Sequence, residues 1–383
     1  MKNNKVLILG TGHLAYRVKR LAEKRGFEVG QVNIPVHFQK QGAIFDDIQA
    51  LFSDINLKEM AMVYILDDRD DYNLGLAIAL ISVDEHVPIT VSLFNENITP
   101  HLKATHPNIH VLNPAKIAAP QFVESLSAPE IGFLRYQFTP VKEVLLLKTS
   151  DPFLRVVAGF FGTIIIGVLA YFTIIEKVPF VDTLYYIVAT IAGGTDLFKE
   201  GAVSKLVETF LIMSSLLFMW IIFTLTADRI IKLRSEYSLG RKKYSYKNHV
   251  IVVGLGRLGH FIVEELVKRG EQVVVVELNE HASSIEYYRS KGVAVYVGNA
   301  RLVRVLQEVG VVRAKALMGM ISDDYINLEI GLNARSCNAG IKLVLRIFDD
   351  AMAATIRDHL DIHLAYSMSA LSDEAFLETV SKK

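Results

Sequence analysis

Two glycine-rich segments of this sequence have the residue types and spacing that bind phosphate groups. GTGHLA occupies residues 10–15 and GLGRLG occupies residues 254–259. Each follows an apolar run typical of a strand buried on both faces, and each opens a helical pattern. In such a turn the first glycine permits the tight bend, the second lets the backbone approach a diphosphate, and the third lets helix and strand pack closely. The free N–H groups at the helix N-terminus then favour an anion.

The second segment carries the fuller set of nucleotide-binding residues. Glu277 ends the following strand, where a carboxylate accepts hydrogen bonds from the ribose hydroxyls of an adenosine. Arg257 lies inside the loop and can reach a phosphate. We therefore expect an adenine nucleotide or NAD/NADH to bind at this copy, through Gly254, Gly256, Arg257, Gly259 and Glu277.

The first segment is degenerate at three of these positions. Ala15 replaces the third glycine, His13 replaces the arginine, and Asn33 stands where the acidic residue would be. An asparagine cannot act as the ionised ribose acceptor, so this copy is expected to be a structural partner or a weaker second nucleotide site. That weaker site would use Gly10, Gly12, His13 and Asn33. The alternative for both copies is a Rossmann turn without a ligand.

The two loops belong to an internal repeat. Residues 5–33 align with residues 249–277 without a gap, and a later block aligns Asn73 with Asn327 and Phe94 with Phe348. Strand patterns alternate with helix patterns in both copies, which predicts two α/β Rossmann-like domains with parallel sheets. Besides the strands next to the loops, we predict strands at residues 61–66, 89–94, 110–112, 316–321, 342–348 and 363–366.

Two long uncharged segments lie between the copies. Residues 156–175 and 209–227 each have about the 20 apolar residues that cross a bilayer as a helix. A buried core helix is the alternative, although such helices are seldom apolar on every side. Basic residues flank both outer ends, which predicts a multi-pass protein of the plasma (inner) membrane with both termini cytoplasmic. These residues are Lys142, Lys148 and Arg155 before the first segment and Arg229, Lys232, Arg234, Arg241, Lys242 and Lys243 after the second.

The stretch between the apolar segments is too short to span and too apolar for an ordinary external loop. VDTLYYIVAT predicts a short re-entrant helix, and the glycines, threonines and acid after it suit irregular backbone that lines an ion path. A plain interfacial loop is the alternative. The candidate filter is Thr190, Ile191, Ala192, Gly193, Gly194, Thr195 and Asp196. In the second membrane helix, Ser214 and Ser215 can permit a bend, and Phe218, Ile222 and Leu225 form an apolar constriction or simply pack.

This arrangement resembles the two-transmembrane potassium-channel-type proteins with RCK (TrkA-N) domains. The resemblance is carried by GLGRLG at 254–259, Glu277, VGNA at 297–300 and SDDYINL at 322–328. It implies a homotetramer in a lipid bilayer, potassium permeation and nucleotide binding that also involves Leu258 and Asn299. The filter departs from the TVGYG or TVGFG of that family, which leaves ion selectivity open between potassium and a non-selective cation path.

The expected organisation is therefore a membrane pore flanked by two RCK-like domains. We assign residues 1–127 to the degenerate first domain, 128–150 to a linker, 151–234 to the pore, 235–247 to a linker and 248–383 to the second domain. The predicted function is a ligand-gated cation channel controlled by the cytosolic domains. A non-conducting membrane sensor that regulates a partner is the alternative. A membrane-anchored NAD-dependent oxidoreductase ranks last, because the sequence offers neither a substrate domain nor a catalytic constellation, and we expect no enzyme.

Composition narrows the other possibilities. Lys plus Arg and Asp plus Glu both number 41, and this balance argues against a nucleic-acid partner. Cys337 is the only cysteine, so neither an intrachain disulfide nor a cysteine zinc site can form. An acidic cluster could hold Ca²⁺ through carboxylate oxygens, although a solvated turn explains it equally, and we assign no metal site. The cluster consists of Asp67, Asp68, Asp70 and Asp71.

Overall fold

The chain forms two compact units in the computed structural model. One unit contains Met1–Val141 and Leu239–Lys383, and the other contains Lys142–Ser238. The structure describes residues 4–32, 52, 55–127, 152–170, 179–192, 201–359, 362 and 364–381. Within the first unit, residues 4–127 make up the first lobe and residues 239–381 the second lobe.

The first lobe is a five-stranded parallel sheet with helices between its strands. The sheet order is β2-β1-β3-β4-β5. The central strands are almost wholly buried because their apolar runs are covered on both faces, whereas the edge strand Glu28–Val32 is partly exposed. Its elements are β1 (Lys5–Leu9), α1 (His13–Lys24), β2 (Glu28–Val32), β3 (Met60–Ile65), α2 (Asp70–Val83), β4 (Ile89–Ser92), α3 (Thr99–Thr105), β5 (Ile109–Leu112) and α4 (Pro114–Glu124).

The second compact unit consists of three packed helices. They are α5 (Pro152–Ala170), α6 (Phe180–Ile191) and α7 (Ala202–Ser238). One stretch, Glu208–Ser238, is long and apolar enough to cross a membrane, and only 11% of its most apolar window is buried. The described apolar stretch of α5 is shorter, at Leu154–Gly167. The rings of Phe160 and Phe218 meet edge to face, with centroids 5.5 Å apart.

The second lobe is a six-stranded parallel sheet in the order β11-β10-β9-β6-β7-β8. The prediction of two parallel-sheet Rossmann-like domains is confirmed. Strand β8 was not predicted, and it has no counterpart among the described residues of the first lobe. The elements are β6 (Val250–Val253), α8 (Arg257–Lys268), β7 (Val273–Glu277), α9 (Ser284–Ser290), β8 (Ala294–Val297), α10 (Val303–Glu308), β9 (Ala316–Gly319), α11 (Asp324–Cys337), β10 (Lys342–Arg346), α12 (Asp350–His359), β11 (Leu364–Tyr366) and α13 (Met368–Ser381).

The two lobes exchange their last helices. Helix α4 leaves the first lobe and packs on α8 of the second, where Phe122 is fully buried in the second lobe's core. Helix α13 of the second lobe in turn packs on α1 of the first lobe. Its residues Phe376 and Leu377 are fully buried among first-lobe residues. Burying a side chain of this size contributes about 1.5–3 kcal/mol, so each lobe depends on the other for part of its core.

Polar contacts fix the position of α13 on the first lobe. Arg17 Nε donates to Asp373 Oδ2 at 2.9 Å in a largely buried ion pair. Deeper in the interface, the hydroxyl oxygens of Thr90 and Thr379 lie 2.8 Å apart. Both contacts join α13 to the first lobe, through α1 and β4.

A buried histidine makes the stability of the second lobe depend on pH. His249 is fully buried, its Nε2 lies 2.9 Å from the carbonyl oxygen of Val309, and its Nδ1 has no hydrogen-bond partner among the described residues. Burial lowers the pKa of His249 from its ordinary 6.5. Protonation would place a charge and a second N–H in a site with no acceptor.

We predict that the protein loses stability as the pH falls below about 6.5, because the unfolded chain then binds a proton that the folded chain excludes. His249→Gln keeps an N–H for Val309 and cannot titrate, so its melting temperature should fall less between pH 7.5 and 5.5 than that of the wild type. His281→Gln removes an exposed imidazole and serves as the control. An identical pH dependence in all three proteins would contradict the prediction.

Candidate functional site

A cavity of about 680 Å³ opens at the carboxyl ends of the second lobe's central strands. The glycine loop after β6, the ends of β7 and β8, and the ends of β9 and β10 form its wall. Asp68 and Phe94 of the first lobe complete the wall. In open parallel sheets, the crevice outside the carboxyl ends of the strands, where the strand order reverses, is the usual place for a ligand.

The glycine loop has the geometry that the sequence predicts. Gly254 has φ +93°, which side-chain-bearing residues rarely adopt. A Cβ on Gly259 would lie 1.9 Å from the carbonyl oxygen of Gly254, so only glycine permits this approach of helix to loop. Gly256 caps α8, and a Cβ there would meet no atom within 4 Å. The space above the helix N-terminus is therefore open, as a phosphate site requires.

Glu277 lies beside this loop at the end of β7. Its carboxylate accepts hydrogen bonds from the N–H of Leu255 at 2.6 Å and from the N–H of Asn279 at 2.9 Å. Each carboxylate oxygen has a second lone pair, so the group can still accept from a ligand hydroxyl. Asn299, at the end of β8, lines the same cavity, and its Oδ1 accepts from the N–H of Arg301 at 3.0 Å.

Arg257 connects the glycine loop to the first lobe. Its guanidinium donates to the backbone oxygen of Asp68 and stacks 4.3 Å from the ring centroid of Phe94. The side chain lines the cavity, and its charge has no carboxylate contact among the described residues. Leu258, by contrast, is buried in the core and reaches the cavity only at its inner wall.

Arg346 is a cavity residue that the sequence reasoning missed. Its Nε is buried without a hydrogen-bond partner among the described residues, and its guanidinium lies 4.2 Å from the ring centroid of Phe348. Burial lowers the pKa of Arg346 to about 10, so the group is still a cation at neutral pH. A partly buried cation whose Nε lacks a hydrogen-bond partner favours an anionic ligand in the cavity. The only sequence signal was its place at the end of a predicted strand.

The first lobe's glycine loop has almost no free space above it. The cavity there is about 10 Å³, roughly the room for one water molecule. His13 stacks against Phe348 of the second lobe with ring centroids 5.4 Å apart. The carboxylate oxygens of Asp68 lie 3.6 and 3.7 Å from the position of a Cβ on Gly12. Gly10 has φ +127° and lies against the backbone of Leu66, while Asn33 lies outside the described residues.

The acidic cluster is engaged with its own lobe. Asp70 accepts from the N–H groups of Phe94 and Asn95, at 3.0 and 2.8 Å, and Asp71 pairs with Arg69 at 2.7 Å. Burial raises the pKa of Asp67. No group of three His, Cys, Asp or Glu side chains suited to a metal ion occurs in the described part of the chain.

The candidate pore residues are only partly described. Thr190 is fully buried near the end of α6, where its hydroxyl donates to the carbonyl of Tyr186 at 2.8 Å. Ile191 ends the helix and Ala192 follows it. Ser214 and Ser215 donate to carbonyls of their own helix, at 3.0 and 2.8 Å. Phe218 packs on Phe160, and Ile222 and Leu225 are half-buried. Gly193, Gly194, Thr195 and Asp196 lie outside the described residues.

Comparison with known proteins identifies the type of the second lobe. Residues 250–367 match the TrkA-N domain family. The chain is 26% identical over 208 residues to the "Probable potassium channel protein 2" of Methanocaldococcus jannaschii, covering 52% of this chain and 60% of that protein. It is 30% identical over 214 residues to an uncharacterized protein of Methanothermus fervidus, covering 54% and 32%. The chain thus spans less than two thirds of the length of these relatives.

Solved structures share the fold of nearly the whole chain. The structure titled "GsuK Channel" superposes with a TM-score of 0.57 at 13% identity, covering 98% of this chain and 63% of that chain. The GsuK RCK domain gives a TM-score of 0.56 at 13% identity, covering 98% and 76%. The predicted RCK-type fold is therefore confirmed, and the TrkA-N match lies on the lobe that contains the open cavity.

Two glycine substitutions in the loop should distinguish the glycine that folding requires from the glycine that leaves open space for a ligand. We predict that Gly259→Ala destabilises the protein by about 1–3 kcal/mol, because the added methyl group overlaps the carbonyl of Gly254. Gly256 has φ −71° and open space around it, so the unfolding free energy of Gly256→Ala should stay within about 0.5 kcal/mol of the wild-type value. Thermal or denaturant unfolding of the purified chain measures both. Equal losses in the two variants would contradict this geometry of the loop.

Proposed function

We propose that this chain is a subunit of an oligomeric cation channel of the potassium-channel type, gated by a nucleotide in the second lobe. The observation that carries the proposal is the open cavity above the Gly254–Gly259 loop, set in a TrkA-N domain that directly follows a long apolar helix. The potassium channel protein among its relatives supports the same reading.

The cavity residues fit an adenine nucleotide or dinucleotide. The open cradle at Gly256 accepts phosphate at a helix N-terminus, and Arg257 and Arg346 supply positive charge. Glu277 supplies a carboxylate at the ribose position. These residues would bind and orient the ligand, while the first lobe would act chiefly as the partner that completes the cavity wall.

The three-helix unit supplies the features of a membrane pore domain. Glu208–Ser238 can cross a bilayer, and large apolar side chains of this helix such as Trp220 and Phe223 are 69% and 72% exposed. Exposed apolar side chains of this kind favour lipid or a neighbouring subunit. A few helices per chain cannot enclose an ion path, so the proposal requires several subunits, with four as the number that the resemblance implies.

The covalent connection between helix and lobe is short. Helix α7 ends at Ser238, and the next residue, Leu239, accepts a hydrogen bond from the N–H of Val297 at 2.8 Å. Gly240 has φ +66°, and a Cβ there would lie 2.0 Å from the carbonyl oxygen of Val295. Arg241 Nε donates to Val297 at 2.9 Å. Strand β8 also borders the cavity. A ligand-dependent shift of β8 would therefore be transmitted directly to the end of α7, because no flexible linker separates them.

We expect Glu277→Gln to weaken binding of ADP and NAD⁺ about tenfold or more, because hydrogen bonds to a charged acceptor contribute about 1.5–3 kcal/mol. Isothermal titration calorimetry on the full chain in detergent measures the dissociation constants. Glu280→Gln, three residues along and outside the cavity wall, is the matched control. Binding that is equally strong in wild type and Glu277→Gln would refute this role of the carboxylate.

For the channel itself, we expect the purified chain in planar bilayers to carry a cation current that changes when nucleotide is added. With KCl on one side and NaCl on the other, a large reversal potential would indicate potassium selectivity, and one near zero a non-selective pore. Glu277→Gln should shift the nucleotide dependence of the current to higher concentration and leave the reversal potential unchanged. Absence of current under every nucleotide tested would refute the channel and favour a membrane sensor.

A further inference from the structure

Asp68 of the first lobe lies between the two glycine loops. On one side, its carboxylate stands over Gly12, the residue that caps α1. The first turn of α1 contains no acidic residue, and Asp67 and Asp68 both line the small cavity at this helix N-terminus. A carboxylate there is favoured by the helix dipole and occupies the volume that a ligand phosphate would need. In the second lobe the same position above Gly256 is open.

On its other side, Asp68 forms part of the wall of the large cavity. Its backbone oxygen accepts from Arg257, and its negative charge raises the pKa of Arg346, partly offsetting the effect of burial. Asp68 therefore brings a negative charge close to the two arginines that are available to ligand phosphates. Asp324 also raises the pKa of Arg346, but its carboxylate is held by the N–H groups of Phe348 and Asp349.

The positive and negative charges on the cavity wall are therefore nearly balanced. Its wall carries Asp68 and Glu277 against Arg257, Arg301 and Arg346. Arg301 is paired with Glu329 at 2.7 Å, so two arginines face the ligand with two carboxylates beside them. A ligand with a single diphosphate bridge can be matched by these two arginines. A nucleoside triphosphate brings additional negative charge toward Asp68 and is repelled.

The extent of the cavity also fits a ligand with a single diphosphate bridge. It runs from Glu277 and Asn299 on one side of the glycine loop to Arg346, Phe348 and Met368 on the other. It thus covers the carboxyl ends of β7 and β8 as well as those of β9 and β10, on both sides of the point where the strand order reverses. A dinucleotide binds across such a point, with its diphosphate at the loop and one base on each side.

We propose that Asp68, supplied by the degenerate lobe, is a specificity-determining residue that makes the second lobe's cavity favour a dinucleotide over a nucleoside triphosphate. This inference rests on the nucleotide site proposed above. It gives the first lobe a role in ligand selection, because the discriminating charge comes from outside the lobe that binds the ligand. Replacing the carboxylate by an amide of the same shape removes the charge and keeps the backbone oxygen that Arg257 contacts.

The test is calorimetric titration of the full chain in detergent with NAD⁺ and with ATP, in the wild type, Asp68→Asn and Asp71→Asn. We expect Asp68→Asn to improve ATP affinity relative to NAD⁺ affinity about fivefold or more, the effect of one partly screened charge. Asp71→Asn removes a carboxylate of the same segment that lies outside the cavity wall and should leave the ratio unchanged. Asp68→Ser, which also lacks the charge, is measured in parallel in case Asp68→Asn does not fold.

The outcomes separate this proposal from the nucleotide site itself. If the wild type binds NAD⁺ and the affinity ratio is the same in every folded Asp68 variant, the charge of Asp68 does not select the ligand and the proposal is overturned. If Asp71→Asn changes the ratio as much as Asp68→Asn, the effect is general electrostatics and the proposal is likewise overturned. If the wild type binds neither nucleotide, the proposed nucleotide site is refuted, and the role of Asp68 with it.

Discussion

The exchange of terminal helices between the lobes is the interaction on which the geometry of the cavity depends. Phe122 lies in the core of the second lobe and Phe376 in that of the first, so neither lobe closes its own hydrophobic core alone. The exchange also fixes how closely the two glycine loops approach the opposite lobe. Across the same pair of lobes, Arg257 contacts Phe94 and His13 contacts Phe348.

Local sequence patterns predicted much of this fold. Strands β1 and β6 were predicted from the apolar runs that precede the two glycine loops, and the structure places them at Lys5–Leu9 and Val250–Val253. The loop residues Gly254, Gly256, Arg257 and Glu277 were identified because their spacing follows from the geometry of one strand–turn–helix unit. The structure places them around one cavity. The strand predictions succeeded because each depends on interactions between residues that are close in the chain, and nucleotide binding by the loop residues stays a prediction.

The missed features depend on contacts between distant parts of the chain. Nothing in the pattern of residues 368–381 indicates that the helix they form covers α1 rather than its own lobe. Asp68 follows β3 and lies above Gly12, which follows β1, because these two strands pair in the sheet, and Arg346 lies in the cavity wall at the end of β10. The repeat did contain one signal: Phe94 and Phe348 align with each other, and in the structure each lies against the opposite lobe's loop residue. When equivalent residues of the two copies each contact the opposite copy, the copies are related by an approximate twofold axis.

The helix exchange has a consequence for how the chain is made. Arg17 and its partner Asp373 are 356 residues apart, with the whole apolar segment between them. At a ribosomal rate of about 5–20 residues per second, roughly 20–70 s separate the synthesis of α1 from that of the helix that covers it. During this interval the apolar face of α1 that later packs against Phe376 and Leu377 has no cover from α13. Completion of the first lobe therefore follows synthesis of the apolar helices, and the ligand cavity, whose wall includes Met368, is complete only once α13 has been made.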